Sequence, residues 1–125
     1  RWAPLQACTV LGSAGQLQQV MMNLLQNAFD ALSSVHEPMV WVEMGCPGEA
    51  DPPTVRVTVR DNGPGIPPEH LLRIFDPFFT TKPVGKGTGL GLSISYGIVE
   101  QHGGRLSARN ADEGGAEFLL ELPLD

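Results

Sequence analysis

The sequence is poor in cysteine, in basic residues and in long apolar runs, and each shortage excludes a class of protein. Its only cysteines, Cys8 and Cys46, are too few for a disulfide framework or a zinc site, and they are interpreted as buried thiols of a reducing compartment. Eight Lys and Arg against fourteen Asp and Glu give a net charge of −6 without a basic stripe, so no nucleic-acid interface is expected. No apolar run approaches the length that crosses a bilayer, so no membrane contact is expected.

The sequence has 125 residues, which is the size of one domain. Residues 1–125 are therefore interpreted as a single domain. Because residue 1 is Arg, we expect the domain to be a piece of a longer protein.

The most informative stretch is residues 82–95, where glycines alternate and apolar residues then recur at helical spacing. Glycine lets the backbone approach a ligand closely. The first turn of a following helix adds unpaired N–H groups and the positive end of its dipole. The stretch therefore predicts a phosphate-binding loop, with Lys82 and Lys86 adding charge. Neither the P-loop nor the dinucleotide fingerprint matches. A flexible loop before a glycine-tolerant helix start stays open as the alternative.

An earlier helix is predicted to begin after Ser13, because Gln16 follows at capping-box spacing. One apolar face then recurs at helical spacing, through Leu17, Met21, Leu24, Ala28 and Leu32.

A second face of this helix carries Asn23, Asn27 and Asp30 at i, i+4 and i+7. Asn and Asp are unfavourable inside a helix unless their side chains bind something. Oxygen ligands of this kind suit Mg²⁺. The alternative is a solvated polar face.

Strands are predicted at residues 39–44 and 54–61, the second from alternating valines. Asp61 ends this strand, at a position where α/β sheets commonly place ligand-binding groups. Its carboxylate could accept from an exocyclic amine, and Gly63 and Gly65 would let a flat ring approach the backbone. An ordinary Asp-Asn-Gly turn is the alternative.

The remaining elements are weaker predictions. Residues 67–74 favour a short helix. Three phenylalanines follow and are interpreted as both a hydrophobic plug over the core and the anchor of a mobile segment: Phe75, Phe78 and Phe79. A helix from Thr88 to the glycines at 103–104 and a hairpin of residues 105–110 and 117–122 close the domain. Residues 5–10 favour a short strand or a linker.

Four runs of residues, in this order and spacing, resemble the nucleotide-binding boxes of sensor histidine kinases. They are NLLQNAFD at 23–30, DNGPGI at 61–66, FDPFFTTK at 75–82 and GTGLGL at 87–92. The resemblance extends over residues 13–122, and the third run is most similar to nitrogen-regulatory kinases.

This resemblance implies an α/β fold, a two-layer sandwich with a mixed sheet of about five strands and three helices on one face. It implies that ATP binds between the helices and a lid, with Mg²⁺ on Asn27 and adenine on Asp61. It also implies catalytic roles for Asn23, Asn27 and Lys82. The nucleotide-binding set carried over by position is Asn23, Asn27, Asp30, Asp61, Gly63, Gly65, Ile66, Phe75, Thr81, Lys82, Lys86, Gly87, Thr88, Gly89, Leu90, Gly91 and Leu92.

Kinases of this family carry their phosphoacceptor histidine on a helical dimerisation domain. His36, His70 and His102 lack that context and are interpreted as surface histidines. The implied partners are therefore the protein's own dimerisation domain and a response regulator. The resemblance implies a homodimer for the full-length kinase and a cytoplasmic domain.

The alternative is an ATP-gated clamp or hydrolase of the same superfamily, which usually places a Glu general base four residues before the metal-binding Asn. Here that position is Asn23, whose amide cannot take a proton, so a kinase is favoured. A nucleotide-binding regulator without catalysis is the third reading.

Overall fold

The computed structural model describes residues 10–46, 53–79 and 90–124. In chain order the elements are α1 (Ala14–Ala31), β1 (Val40–Gly45), β2 (Thr54–Asp61), α2 (Pro68–Leu71), α3 (Gly91–Gln101), β3 (Arg105–Asn110) and β4 (Ala116–Pro123). The strands form one sheet in the order β1-β2-β4-β3. This confirms the predicted α/β sandwich.

The strand count and direction correct the expected mixed sheet of about five strands. The described residues form four strands, and every neighbouring pair is antiparallel. Consecutive strands β1–β2 and β3–β4 pair directly, and the two pairs join where β2 runs antiparallel to β4. Parallel pairing would need a crossover within each pair, and the chain has none there. The candidate strand at residues 5–10 lies almost wholly outside the described residues.

Helix α1 begins where the sequence predicts. Ser13 is the N-cap, and its hydroxyl accepts a hydrogen bond from the Gln16 N–H at 3.2 Å. Its buried face is centred on Val20, Leu24 and Ala28. The predicted apolar face included Leu24 and Ala28 but omitted Val20, and two of its members, Leu17 and Met21, only border the core.

The core lies between the sheet and the two longer helices. Alternate residues of β4 are buried, as the period-2 pattern of a half-buried strand requires. They meet the buried faces of α1 and α3 in one cluster, which contains Val20, Leu24, Ala28, Val57, Val59, Ile74, Ile98, Val99, Leu106, Ala116, Phe118, Leu120 and Leu122. Helix α2 buries no residue, so α1 and α3 provide the helical layer.

The structure also bears on the two cysteines of the sequence. Cys46 is disulfide-bonded, which corrects the expectation of an isolated thiol. The only other cysteine, Cys8, lies outside the described residues.

Among the helices described, none is both long and apolar enough to cross a bilayer.

Candidate functional site

A buried carboxylate stands at the end of β2. Asp61 is 1% exposed, and its Oδ1 accepts hydrogen bonds from the backbone N–H of Gly63 at 2.9 Å and of Ala116 at 3.3 Å. No described residue donates to Oδ2. The carboxylate is thus held in one orientation, with its second oxygen available to accept from a ligand.

The loop that follows Asp61 lies directly against the end of α1. A Cβ atom built on Gly63 would stand 2.9 Å from the Ala31 carbonyl oxygen and 3.0 Å from Asp61 Oδ1. Real Cβ atoms essentially never approach other atoms so closely. Glycine at 63 is therefore what lets the loop pack so closely against the end of α1 and the Asp61 carboxylate.

The same loop is tied to the connection between α1 and β1. The Asn62 side chain accepts from the Met39 N–H at 2.8 Å and donates to the Glu37 carbonyl at 3.1 Å. Asn62 therefore fixes the start of the loop, while Asp61 keeps its own side chain for the site.

Asn23 links α1 to the first turns of α3. Its Nδ2 donates to the Gly91 carbonyl at 3.1 Å and to the Ser95 hydroxyl at 2.9 Å. A carbonyl can only accept, so the Gly91 contact fixes which end of the amide faces α3. Asn23 Oδ1 is then the end left for a ligand.

Asn27 lies one helical turn further along the same face of α1. It is half-buried, and among the described residues its amide has no hydrogen-bond partner. Asp30, another turn on, accepts from Gln26 Nε2 at 3.0 Å. The predicted triplet is therefore unequal, since Asn27 is open to a ligand while Asn23 and Asp30 are already bonded.

The described residues offer few groups for a metal ion. They contain no cluster of three or more His, Cys, Asp or Glu side chains that could hold one. Amide oxygens such as those of Asn23 and Asn27 fit Mg²⁺, which binds few protein groups and keeps waters and substrate phosphates as its other ligands.

Helix α3 begins at Gly91, with Leu90 as its N-cap residue and no capping side chain. Its first-turn N–H groups therefore lack the side-chain acceptor that usually satisfies them, which suits an anion. The helix was predicted from Thr88, which is outside the described residues together with the other predicted loop residues, Thr81, Lys82, Lys86, Gly87 and Gly89. Leu90, Gly91 and Leu92 are described and lie at the helix start.

Phe75 joins the segment after α2 to the core. Its ring centroid lies 5.2 Å from that of Tyr96 on α3 and 6.4 Å, edge to face, from that of Phe118 on β4. Such pairs add to the free energy of burial. Phe75 therefore packs against the core, as the predicted hydrophobic plug requires, and its role as the anchor of a lid stays a prediction.

The other two phenylalanines behave differently from each other. Phe79 packs edge to face on His70, with ring centroids 5.2 Å apart. Phe78 is 71% exposed and has a φ of +67°. The predicted hydrophobic plug therefore includes Phe79, which packs against the core, and not Phe78, which the turn directs away from it. The role of Phe79 as a lid anchor stays a prediction.

The three histidines also differ. His36 is exposed, in the turn between α1 and β1, as expected. His102 is half-buried, accepting from the Ser13 N–H at 3.1 Å through Nε2 and contacting the Ile98 carbonyl at 2.8 Å through Nδ1. His70 is also half-buried and packs on Phe79. His102 and His70 are therefore partly exposed histidines with structural contacts, which is compatible with the surface interpretation.

Two residues with roles at this site carried no sequence signal. Ser95 is fully buried and accepts from Asn23, although no motif marks it. Asn110, at the end of β3, forms two hydrogen bonds with the backbone of Ile66. Only the packing of distant segments brings these pairs together, so neither could be found from local spacing.

The fold and the site define an ATP-binding domain of a known class. The chain belongs to the family of histidine kinase-, DNA gyrase B-, and HSP90-like ATPases, whose sequence profile matches residues 12–125. The two-component sensor PprA of Pseudomonas aeruginosa is 48% identical over 98% of this chain. The sensor protein kinase PilS of the same species is 41% identical over 84% of it. The chain spans only 13% of PprA and 19% of PilS.

Solved structures agree with the sequence relatives. The nucleotide-free catalytic domain of histidine kinase ThkA has a TM-score of 0.75 at 37% identity, covering 91% of this chain and 71% of that one. Full-length ShkA in complex with AMPPNP has a TM-score of 0.73 at 32% identity, covering 96% and 24%. These likenesses confirm the prediction of a histidine-kinase ATP-binding domain over that of a clamp. The finer placement with nitrogen-regulatory kinases stays a prediction.

Proposed function

We propose that this chain is the single catalytic domain of a longer sensor kinase. In this proposal it binds Mg-ATP and transfers the γ-phosphoryl group to a histidine on a separate dimerisation domain. The observation that carries the proposal is the buried Asp61 carboxylate, with Oδ1 fixed by two backbone donors and Oδ2 open beside Gly63.

The Asp61 end of the site suits adenine. Oδ2 can accept from the exocyclic amine, and Gly63 brings the loop backbone next to the carboxylate. Guanine presents a carbonyl oxygen at the corresponding position, and a carboxylate repels it. An unpaired buried polar group costs about 1–3 kcal/mol, so this end can select the base.

The Asn27 end suits phosphates and their metal ion. The uncapped first turn of α3 offers N–H groups to an anion, and Asn23 Oδ1 and the Asn27 amide offer oxygens to Mg²⁺. Bound Mg²⁺ would neutralise charge on the phosphate oxygens. Lys82, Lys86 and the backbone of residues 87–91 complete the phosphate site in this proposal.

A histidine is the acceptor that this chemistry favours. Its imidazole nitrogen brings its own lone pair to the γ-phosphorus, while the bond from that phosphorus to the bridging β-oxygen breaks and ADP leaves. The attacking nitrogen has no proton to lose, so the ATP-binding domain need not supply a general base, and the proton on the other ring nitrogen of the product is released afterwards. Asn23, at the position where clamps carry a general base, cannot take a proton and donates both amide hydrogens to α3.

The partners follow from this chemistry. The dimerisation domain supplies the histidine, the full-length kinase forms a homodimer, and a response regulator receives the phosphoryl group. Dependence on ATP places the domain in the cytoplasm in this proposal.

The test uses the domain together with a dimerisation domain added in trans. We expect tight Mg-ATP binding by calorimetry, very slow hydrolysis by the domain alone, and acid-labile phosphohistidine on the partner. Alignment of the nucleophile accounts for roughly 7–11 kcal/mol of such a barrier, so the partner should matter greatly. Rapid hydrolysis by the isolated domain, insensitive to any partner, would favour the clamp instead.

A further inference from the structure

The tip of the β3–β4 hairpin, residues 109–116, here called the turn, contacts the Asp61–Ile66 loop through Asn110 at the end of β3. Asn110 Oδ1 accepts from the Ile66 N–H at 2.7 Å, and its Nδ2 donates to the Ile66 carbonyl at 2.8 Å. The two residues are 44 positions apart in the chain. One side chain therefore satisfies both backbone groups of Ile66.

The loop cannot satisfy these groups by itself. Ile66 lies between prolines 64 and 67 with only Gly65 intervening, and proline has no N–H to offer a neighbouring strand. Among the described residues, no side chain other than Asn110 bonds to the backbone of residues 64–66. Asn110 thus holds the Ile66 end of this loop in place.

The same turn also contacts the near end of the loop. Ala116 N–H donates to Asp61 Oδ1 at 3.3 Å. Gly115 has a φ of +81° and lies so close to the Asp61 carbonyl that a Cβ atom there would collide with it. The turn and the loop are therefore assembled around the Asp61 carboxylate from both ends.

The position of Gly65 depends on Asn110 as well. A Cβ atom on Gly65 would stand 2.8 Å from Asn110 Oδ1, so the amide occupies the space that a side chain would take. Glycine at 65 and asparagine at 110 thus fit each other, and together they fix the loop against the β3–β4 turn.

The geometry points to Asn110 as a positioning residue for the purine base. It touches no ligand itself but holds Ile66, and through it Gly63 and Gly65, at the separation where a flat ring fits beside Asp61. This role rests on the proposed function, since it assumes that Asp61 receives adenine. Loss of Asn110 should weaken recognition of the base and leave recognition of the phosphates unchanged.

The experiment compares two substitutions with a control in the same turn. Asn110→Leu removes both hydrogen bonds at similar volume, and Asn110→Asp keeps the acceptor for the Ile66 N–H but loses the donor. Arg109→Ala is the control, because exposed Arg109 pairs, among the described residues, with Glu117 alone, at 2.8 Å across the same hairpin. Each protein is titrated calorimetrically with Mg-ATP, Mg-GTP and inorganic tripolyphosphate, and amide exchange is followed at Ile66.

For Asn110→Leu we expect the Kd for ATP to rise by about five- to tenfold, the loss that follows from one or two hydrogen bonds. The preference for ATP over GTP should shrink, tripolyphosphate affinity should stay unchanged, and exchange at Ile66 should accelerate. Asn110→Asp should lie between Asn110→Leu and wild type, which a general loss of folding would not produce. Arg109→Ala should match wild type in every measurement.

The outcomes separate this role from the proposed function. If wild type does not bind ATP, both are overturned. If wild type binds ATP and Asn110→Leu retains its ATP affinity and base preference, only the role of Asn110 is overturned. An equal fall in ATP and tripolyphosphate affinity would likewise overturn it, because the residue would then act on the whole fold.

Discussion

The two ends of the site are prepared to different degrees. At the base end, Asp61, Asn62 and Ile66 are all bonded to other parts of the protein. At the phosphate end, Asn23 is bonded on one side only, and no described residue bonds to the Asn27 amide. A group held before binding lowers the ordering cost of the ligand, so the base end is built for selection. The phosphate end is left for the metal ion and phosphates to complete.

The largest expected effect comes from removing the open amide. Asn27→Ala should lower phosphoryl transfer to the partner by at least about 100-fold, because a metal ligand is lost. Unfolding free energy should change by less than about 0.5 kcal/mol, since the amide supports no described contact. The yield of phosphohistidine measures the phosphoryl transfer, and thermal unfolding measures the stability. Gln26→Ala, on the neighbouring exposed position, is the control. A large loss of stability in Asn27→Ala would show that both ends are equally prepared.

A smaller effect is expected at the base end. Asp61→Asn keeps the shape of the side chain but replaces one carboxylate oxygen by an amide NH₂ group, which cannot accept a hydrogen bond from adenine. ATP should therefore bind about tenfold more weakly, within the cost of one unpaired buried group. Competitive titration of ATP against GTP measures the change in preference. Wild type binding GTP as tightly as ATP would remove Asp61 from base selection.

The link between the ends can be weakened at Ser95. Ser95→Ala removes one of the two acceptors of Asn23 Nδ2 and should reduce the unfolding free energy by about 1 kcal/mol. ATP affinity should fall by only a few-fold, because the Gly91 carbonyl still orients the amide. Denaturant unfolding measures the unfolding free energy, and calorimetry measures the ATP affinity. Ser93→Ala, whose hydroxyl donates to the Leu90 carbonyl at 3.0 Å, is the matched control, and an equal effect there would argue against the link.

The smallest effect is expected on the sheet surface remote from both ends. Arg56 pairs with Glu121 at 3.1 Å across β2 and β4, with 45% of the Arg56 side chain exposed. Arg56→Ala should change stability by less than about 1 kcal/mol, as exposed ion pairs do, and should leave nucleotide affinity unchanged. A shift in ATP affinity would extend the site to that surface.

Local pattern was sufficient for much of this protein. The cap at Ser13, the alternation of β2 and the hairpin of β3 and β4 depend on neighbours within a few residues, and all appear as predicted. The runs at 23–30 and 61–66 pointed to an ATP site through their resemblance to sensor histidine kinases, whereas their spacing alone left a solvated helix face and an ordinary turn open. The family comparison confirms that class.

Tertiary structure alone decided how those groups are held. The bond from Asn23 to Ser95 joins residues 72 positions apart, and the bonds from Asn110 to Ile66 join residues 44 apart. It also set the antiparallel sheet, the exposure of Phe78 and the choice of Asp61 oxygen that stays open. Periodicity reports which face of an element is apolar, but contacts between elements depend on packing over the whole core, which no short stretch encodes.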